Sequence, residues 1–424
     1  MMNEKNNFQK INYILLLIGL GIIFCLNLNG LYQENQNHLM LGLLLNLLLL
    51  LITVAYFKID YMSFLILCVQ ALLVPATIQY FTGQSYGILN AQIVPVYLPY
   101  FIIFNFVYCI LIIILAIIFN FRTDEIKLVN FKSKSFNNIN IITNNVIAVL
   151  FTIVAFPRLS LSTSGETRFN MLLPGHAWNQ LAIVALIFNY PYLKKRSVKL
   201  TYLFVVLWFL LNGERADVTG LIFGLIILNF MTKKPKSKKS RYIALAILAI
   251  GFMILLNAIV MARSHQKVTL ATTINSLLTT PTTSDVSYLF TATIDAWKNS
   301  TCLHGQIFKS DLVSIIPFSN PNGFDYLIRQ LGYFSPGGEP FLAQPILDWG
   351  PIGLIFRAII DFTLFKLLTI KVNSFFYYEF ITLLCLVPRM TWYGRNYVFS
   401  SLIFFVPILY IINYYFLKKF RLGV

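Results

Sequence analysis

About a dozen stretches of largely apolar residues recur along this chain, most of them of the roughly 17 to 25 residues needed to cross the ~30 Å hydrocarbon core of a bilayer as a helix. Lipid offers no partner for a bare peptide group, so such stretches have to fold as helices that bond internally. They lie near 11–30, 39–57, 61–80, 97–121, 141–157, 176–193, 200–213, 217–232, 241–262, 345–370, 373–388 and 397–417. The expected fold is therefore an all-α polytopic membrane protein with about twelve transmembrane helices. Composition points the same way: hydrophobic residues are 58% and charged residues 12%, where a soluble domain is near a quarter charged. The seventh and eighth stretches are short and separated by Gly213-Glu214-Arg215-Ala216-Asp217, which also allows a re-entrant pair. No small-residue cleavage site follows the polar residues 1–10 before Tyr32, so the first stretch is expected to be retained as a helix.

Loop charge sets the orientation. Lys58, the segment 122–134, Lys194-Lys195-Arg196, the run 233–241, Lys371 and the tail Lys418-Lys419-Phe420-Arg421 alternate with lysine-poor loops, placing both termini in the cytoplasm. Most of the net charge of +17 thereby sits in inside anchors, and nucleic acid is not the expected partner. Two outer segments are long. One runs over 157–176 within the first nine spans (1–262); the other, 263–344, is a large extracytoplasmic loop between the ninth and tenth spans, followed by spans ten to twelve in 345–424. The apolar content of 263–344 suggests short amphipathic helices lying on the outer leaflet. The two halves show no repeat of the transporter kind. Five scattered cysteines, without a CxxC or Cys/His cluster, indicate neither a disulfide framework nor a metal site.

Arginine is distributed against the topology rule. Seven of the twelve arginines (Arg158, Arg168, Arg215, Arg263, Arg329, Arg389 and Arg395) fall in outer loops, but only three of the twenty-one lysines do, namely Lys267, Lys298 and Lys309. Lysine would mark topology equally well; guanidinium forks that clasp phosphate in a bidentate way are the better explanation for the bias. Arg158, Arg215 and Arg263 each sit at a span's outer end and could surround one diphosphate, or each could snorkel to the headgroups. Arg215 could also be neutralised by Glu214 or Asp217 beside it. In Gly332 to Pro340, Gly337-Gly338 and the flanking prolines would hold Glu339 in a defined place above the tenth span, either as a base for a hydroxyl or paired with Arg329. His176, His265 and His304 could reach an outer cavity, or be structural. Trp392, Tyr393 and Arg395 fit sugar stacking beside phosphate contact, and also an interfacial aromatic belt. Arg357 and Asp361, four apart in the tenth span, are expected to form a buried structural pair.

The outer arginines, the late outer loop and above all Gly337-Gly338-Glu339-Pro340 running into Leu347-Asp348-Trp349-Gly350-Pro351-Ile352-Gly353 resemble the Wzy-type polymerases of surface polysaccharides. The motif match covers about 329–353 and 213–217, with Gly350 and Gly353 as the family's Gly-x-x-Gly helix start and Arg215 as its mid-chain arginine. The family's paired outer-loop arginines are matched only loosely by Arg158, Arg168 and Gly175. The resemblance implies a GT-C-like, metal-independent glycosyltransferase of the bacterial cytoplasmic membrane, with an extracytoplasmic active site and no cofactor. It would join undecaprenyl-diphosphate-linked oligosaccharide units into an O-antigen, capsule or exopolysaccharide, amid membrane lipids and with a chain-length regulator as a candidate partner. In that setting Arg158, Arg168, Arg215 and Arg263 would hold the diphosphate, Glu339 and Arg215 would be catalytic, and Trp392, Tyr393 and Arg395 would bind sugar. A ligase of finished glycan, a flippase of the same lipid-linked units, and a non-enzymatic scaffold are the other readings.

Overall fold

The computed structural model describes residues 2–83, 96–119, 121, 138–159, 177–232, 238–263, 267–279, 284–299, 302–316, 319, 322–335, 338–370, 373–394 and 396–416. Among them there are helices and no strands. Seven helices are long and apolar enough to cross a membrane: Lys10–Tyr32, Gln36–Phe57, Tyr61–Thr82, Leu98–Ile118, Asn138–Ala155, Arg215–Thr232 and Val398–Tyr415. The other five expected spans are helical too. Ala177–Asn189 and Arg196–Leu211 are short, at 13 and 16 residues. Lys238–Arg263 carries a shorter apolar core, Ala246–Ile259. Ile352–Ile370 and Ser374–Tyr393 hold ionisable side chains inside them.

One helix carries large apolar side chains on its exposed face and polar ones on its buried face. In Asn138–Ala155 the polar Asn140, Asn144 and Thr152 face inward while Ile142, Val146, Leu150 and Ile153 are exposed. Apolar side chains have no reason to turn inward when the solvent is itself hydrocarbon, whereas an amide must find a partner. These amides do. Asn140 and Asn144 bond Asn413, Asn144 also bonds Asn189, and Asn189 reaches Ile141 O and Asn145. Three helices are thus tied together at one end by hydrogen bonds.

Backbone chemistry explains where the expected spans are broken. Tyr61–Gln70 and Leu73–Thr82 are separated at Ala71 and Leu72, just before Pro75, whose ring nitrogen cannot donate to the preceding turn. The expected span 345–370 is corrected to two helices, Ala343–Trp349 and Ile352–Ile370, because Gly350 (φ +65°) and Pro351 reverse the chain between them. The final helix has π-type turns at Ser401–Phe405, directly before Val406-Pro407, and at Ile412–Phe416.

The segment expected to lie on the outer leaflet is partly core. Ser284–Lys298 buries Leu289, Phe290, Ala292 and Ile294, and also Ser287, Thr291 and Thr293. Ser287 donates to Leu72 O, at the break in the third span, and Phe290 packs on Phe101. Leu270–Thr279 does keep an exposed apolar edge at Leu270 and Ile274, with Thr273 O accepting from Asn257.

Helix packing then decides the site. A Cβ on Gly220 would stand 1.9 Å from Cys385 O, and one on Gly224 would stand 2.9 Å from Cys385 Cα. Arg215–Thr232 therefore presses its backbone onto Ser374–Tyr393 through a Gly-x-x-x-Gly face, beside Pro388 of the partner helix. With the register fixed at Cys385, the residues one turn nearer the 393 end come together as well.

Candidate functional site

Arg196–Leu211 ends in a reversal that sequence chemistry dictates. Gly213 takes φ +81°, its N–H bonds Leu210 O, and Glu214 N–H bonds Phe209 O, a pair of bonds that closes a helix on a left-handed glycine. Glu214 then begins the next helix, accepting from Val218 N–H, and Asp217 stands in its first turn. The glycine packing at Cys385 sets these acids opposite Arg389. Arg389 Nη1 donates to Glu214 Oε2 at 2.5 Å and lies 3.4 Å from Asp217 Oδ2. Asp217 also accepts from Asn179 (2.7 Å) and Gln180 (3.2 Å) at the start of Ala177–Asn189. Asp217, Arg389 and Glu214 are all buried. Ionised groups this deep persist only when they neutralise and hydrogen-bond one another.

That arrangement leaves Arg215 differently placed from the self-neutralised turn considered above. Glu214 and Asp217 turn to Arg389, and Arg215 Nη1 is buried without a hydrogen-bond partner among the described residues. A guanidinium nitrogen held dry and unbonded beside a neutralised cluster is a donor in need of an acceptor.

Glu339 arrives from another part of the chain at the same end of the bundle. Phe341 N–H donates to Thr391 O at 3.1 Å, Gly338 (φ +105°) lies against Trp392 O and the Tyr393 ring, and the carboxyl of Glu339 rests on Gly394. A Cβ on Gly394, itself at φ +95°, would be 2.5 Å from Glu339 Oε2, so only glycine admits the acid. Glu339 is 6% exposed. Beneath it, the Phe341 ring lies 3.9 Å from the guanidinium of Arg357, which bonds Asp361 at 2.6 Å and Gln344 at 3.0 Å; Tyr108 adds a bond to Asp361. The expected Arg357–Asp361 pair exists, and its position shows a use: it props the segment that carries Glu339. Arg329 pairs with Asp325 and donates to Ser335 O.

The resemblance motif resolves into scaffolding around that acid. Asp348, fully buried, accepts from Ile307 and Phe308 N–H and caps Gln306–Val313 from a distance. Gly350 lies against Trp297, and a Cβ on Gly353 would stand 2.0 Å from Pro345 O, so these glycines permit two short helices to fold back tightly. None of them presents a side chain to a ligand.

The aromatic candidates are half-buried. Arg389 covers the Tyr393 ring at 4.6 Å, which occupies part of its stacking surface, whereas Trp392 Nε1 is buried with no partner among the described residues. Arg158 is exposed near the exit of Asn138–Ala155, and Trp208 Nε1 bonds Phe156 O at 3.0 Å, which pins that exit beside the Gly213 turn. The side chain of Arg263 lies outside the described residues, as do Arg168, Arg395, His176 and His265. His304 is exposed at φ +48°, in the turn before Gln306–Val313. Asn179 and Gln180 are site residues that the sequence did not point to, and Arg389, counted there among the outer arginines as a phosphate clasp, is instead paired with Glu214 and Asp217. The one local signal was a pair of amides opening an apolar run, and an arginine next to a helix-interior proline.

The site thus holds a carboxyl, an unbonded guanidinium nitrogen and an indole donor at one end of the bundle. A separate groove of about 270 Å³ between Gln36–Phe57 and the broken third span is lined by Leu43, Leu73 and Thr77 among others and holds no ionisable group. Comparison with models of known protein families, with curated proteins and with solved structures finds no match.

Proposed function

We propose that the chain is a glycosyltransferase of the bacterial cytoplasmic membrane that polymerises lipid-diphosphate-linked oligosaccharide units on the outer face. The topology in this proposal has about twelve crossings and both termini inside, so that Glu339, Arg215 and Trp392 face the extracytoplasmic side. The observation that carries the reading is the buried, unbonded Arg215 Nη1 at the same end of the bundle as Glu339. In the reaction, the acceptor hydroxyl oxygen bonds the anomeric carbon and gives its proton to Glu339, while the bond from that carbon to the diphosphate breaks and the diphosphate leaves with the electron pair. Arg215 offsets its charge, a role that needs a preorganised donor in a dry place. Arg158, Arg168 and Arg263 are further diphosphate contacts, Trp392 offers an indole N–H and face to sugar, and Tyr393 and Arg395 extend that surface. Arg389, its charge offset by Glu214 and Asp217, holds the turn that carries Arg215.

The test is the lipid-linked glycan profile of a deletion strain. Single units accumulating on the outer face support a polymerase; units held inside would assign a flippase, and finished polymer left on its lipid would assign a ligase. An unchanged profile would leave only a scaffold.

A further inference from the structure

The outer site uses Arg389, Glu214, Asp217, Arg215 and Glu339, and the Arg357–Asp361 pair supports it. One acid is left over. Glu379, in the second turn of Ser374–Tyr393, is 3% exposed, and its Oε2 has no hydrogen-bond partner among the described residues. Thr382, one turn along the same face, is fully buried and its Oγ1 also lacks a partner.

Among the described residues, the elements packed on this helix supply no counter-charge. Arg215 and Asp217 belong to the outer cluster, Arg357 bonds Asp361, and Lys366 donates to Phe119 O. Tyr61–Gln70 contributes only Tyr61 and Cys68, the described part of the final helix only tyrosines, and Ala177–Asn189 nothing that titrates. An isolated carboxylate in such a setting would carry the full desolvation cost of a charge, whereas the neutral acid loses little. A bound metal cation does not fit either, since one carboxyl and one hydroxyl fall well short of the six or more oxygens a hard cation takes. A proton needs only one acceptor, and it turns Glu379 into a donor with the Thr382 hydroxyl one turn away.

We propose that Glu379 is a proton-binding site within the helix bundle, a carboxylic acid that takes up and releases a proton among apolar neighbours. This site stands whatever substrate the outer end takes. Proton release would put a charge into the packing of the helix that carries Arg389, Trp392 and Tyr393 at its other end, and so would act on the outer site through one rigid element.

Membranes containing the full-length protein are treated with dicyclohexylcarbodiimide, an apolar reagent that attacks only the protonated carboxyl, and the adduct is located by peptide mass spectrometry. The expected result is an adduct on Glu379 that fades as pH is raised from about 6 to about 10. It is absent in Glu379→Gln, whose neutral amide leaves membrane levels unchanged. Either of two results overturns the proposal: no adduct on Glu379 across that range while a water-soluble carbodiimide modifies the half-exposed Asp325, or an adduct suppressed at fixed pH by sodium chloride but not by choline chloride, which would make the ligand a metal cation. The labelling reports on Glu379 in the wild-type chain and is independent of any glycan product.

Discussion

At the scale of single residues, the site works by unequal pairing. Two acids serve one arginine, Arg389, and the next guanidinium is left with a bare donor. Replacing Glu339 by Gln is expected to slow polymer formation by ~10²- to 10⁴-fold, the usual contribution of a positioned base, with the protein still inserted and single lipid-linked units persisting. Arg215→Ala is expected to give the same profile; wild-type chain lengths in both variants would remove these residues from the chemistry. Arg389→Ala is a different kind of lesion. It strands Glu214 and Asp217 in a buried place, and should cost ~3–5 kcal/mol, read as a lowered melting temperature in detergent and not merely as lost activity. A milder pH effect belongs to Tyr97, which donates to Asp295; Tyr333 donates to the same carboxylate at 2.5 Å. Burial and then the bond to Asp295 push the Tyr97 phenol up to about 12. A raised folded-state value means that this contact is fully present below the ordinary value near 10 and is lost as pH climbs through about 12. Ultraviolet titration should show the late tyrosinate in the wild type and an earlier one in Asp295→Asn; identical curves would dismiss the contact.

At the scale of elements, one helix pair does most of the organising. Gly220 and Gly224 bring Arg215–Thr232 onto Cys385 closely enough that even alanine collides with a carbonyl. Gly220→Ala is therefore expected to cost ~1–3 kcal/mol through forced separation and to weaken the product profile along with it, because Glu214 and Asp217 retreat from Arg389. Gly19→Ala, where nothing lies within 4 Å of the added carbon, is the neutral control. Equal melting temperatures for the two variants would refute the packing argument. Helix existence was readable from run length, and the proline breaks were visible in principle at Pro75 and Pro351. The burial of Ser284–Lys298 was not readable, because its Ser, Thr and Asp content is that of a surface segment; its hydroxyls are satisfied by carbonyls such as Leu72 O and Leu289 O, which no local pattern announces.

At the scale of the molecule, inward amides and outward isoleucines mark a chain whose solvent is lipid. The orientation argued from loop charge makes a direct prediction. Cysteine placed at the exposed Lys309 should react with an impermeant maleimide on intact cells, and cysteine at the exposed Lys195 only after permeabilisation; the reverse pattern would invert the proposed topology. Run length and charge bias in the sequence determined on their own that the chain is helical, that it is built for a bilayer, and that Arg215 and Glu339 merit attention, because each is a property of neighbouring residues. Only the tertiary structure decided which arginine the two acids serve, that Glu339 rests on Gly394, and that Glu379 Oε2 is buried with no partner among the described residues. Glu214 and Arg389 lie 175 positions apart, and their meeting depends on how two helices pack at Cys385, a contact that exists only once the whole bundle has closed.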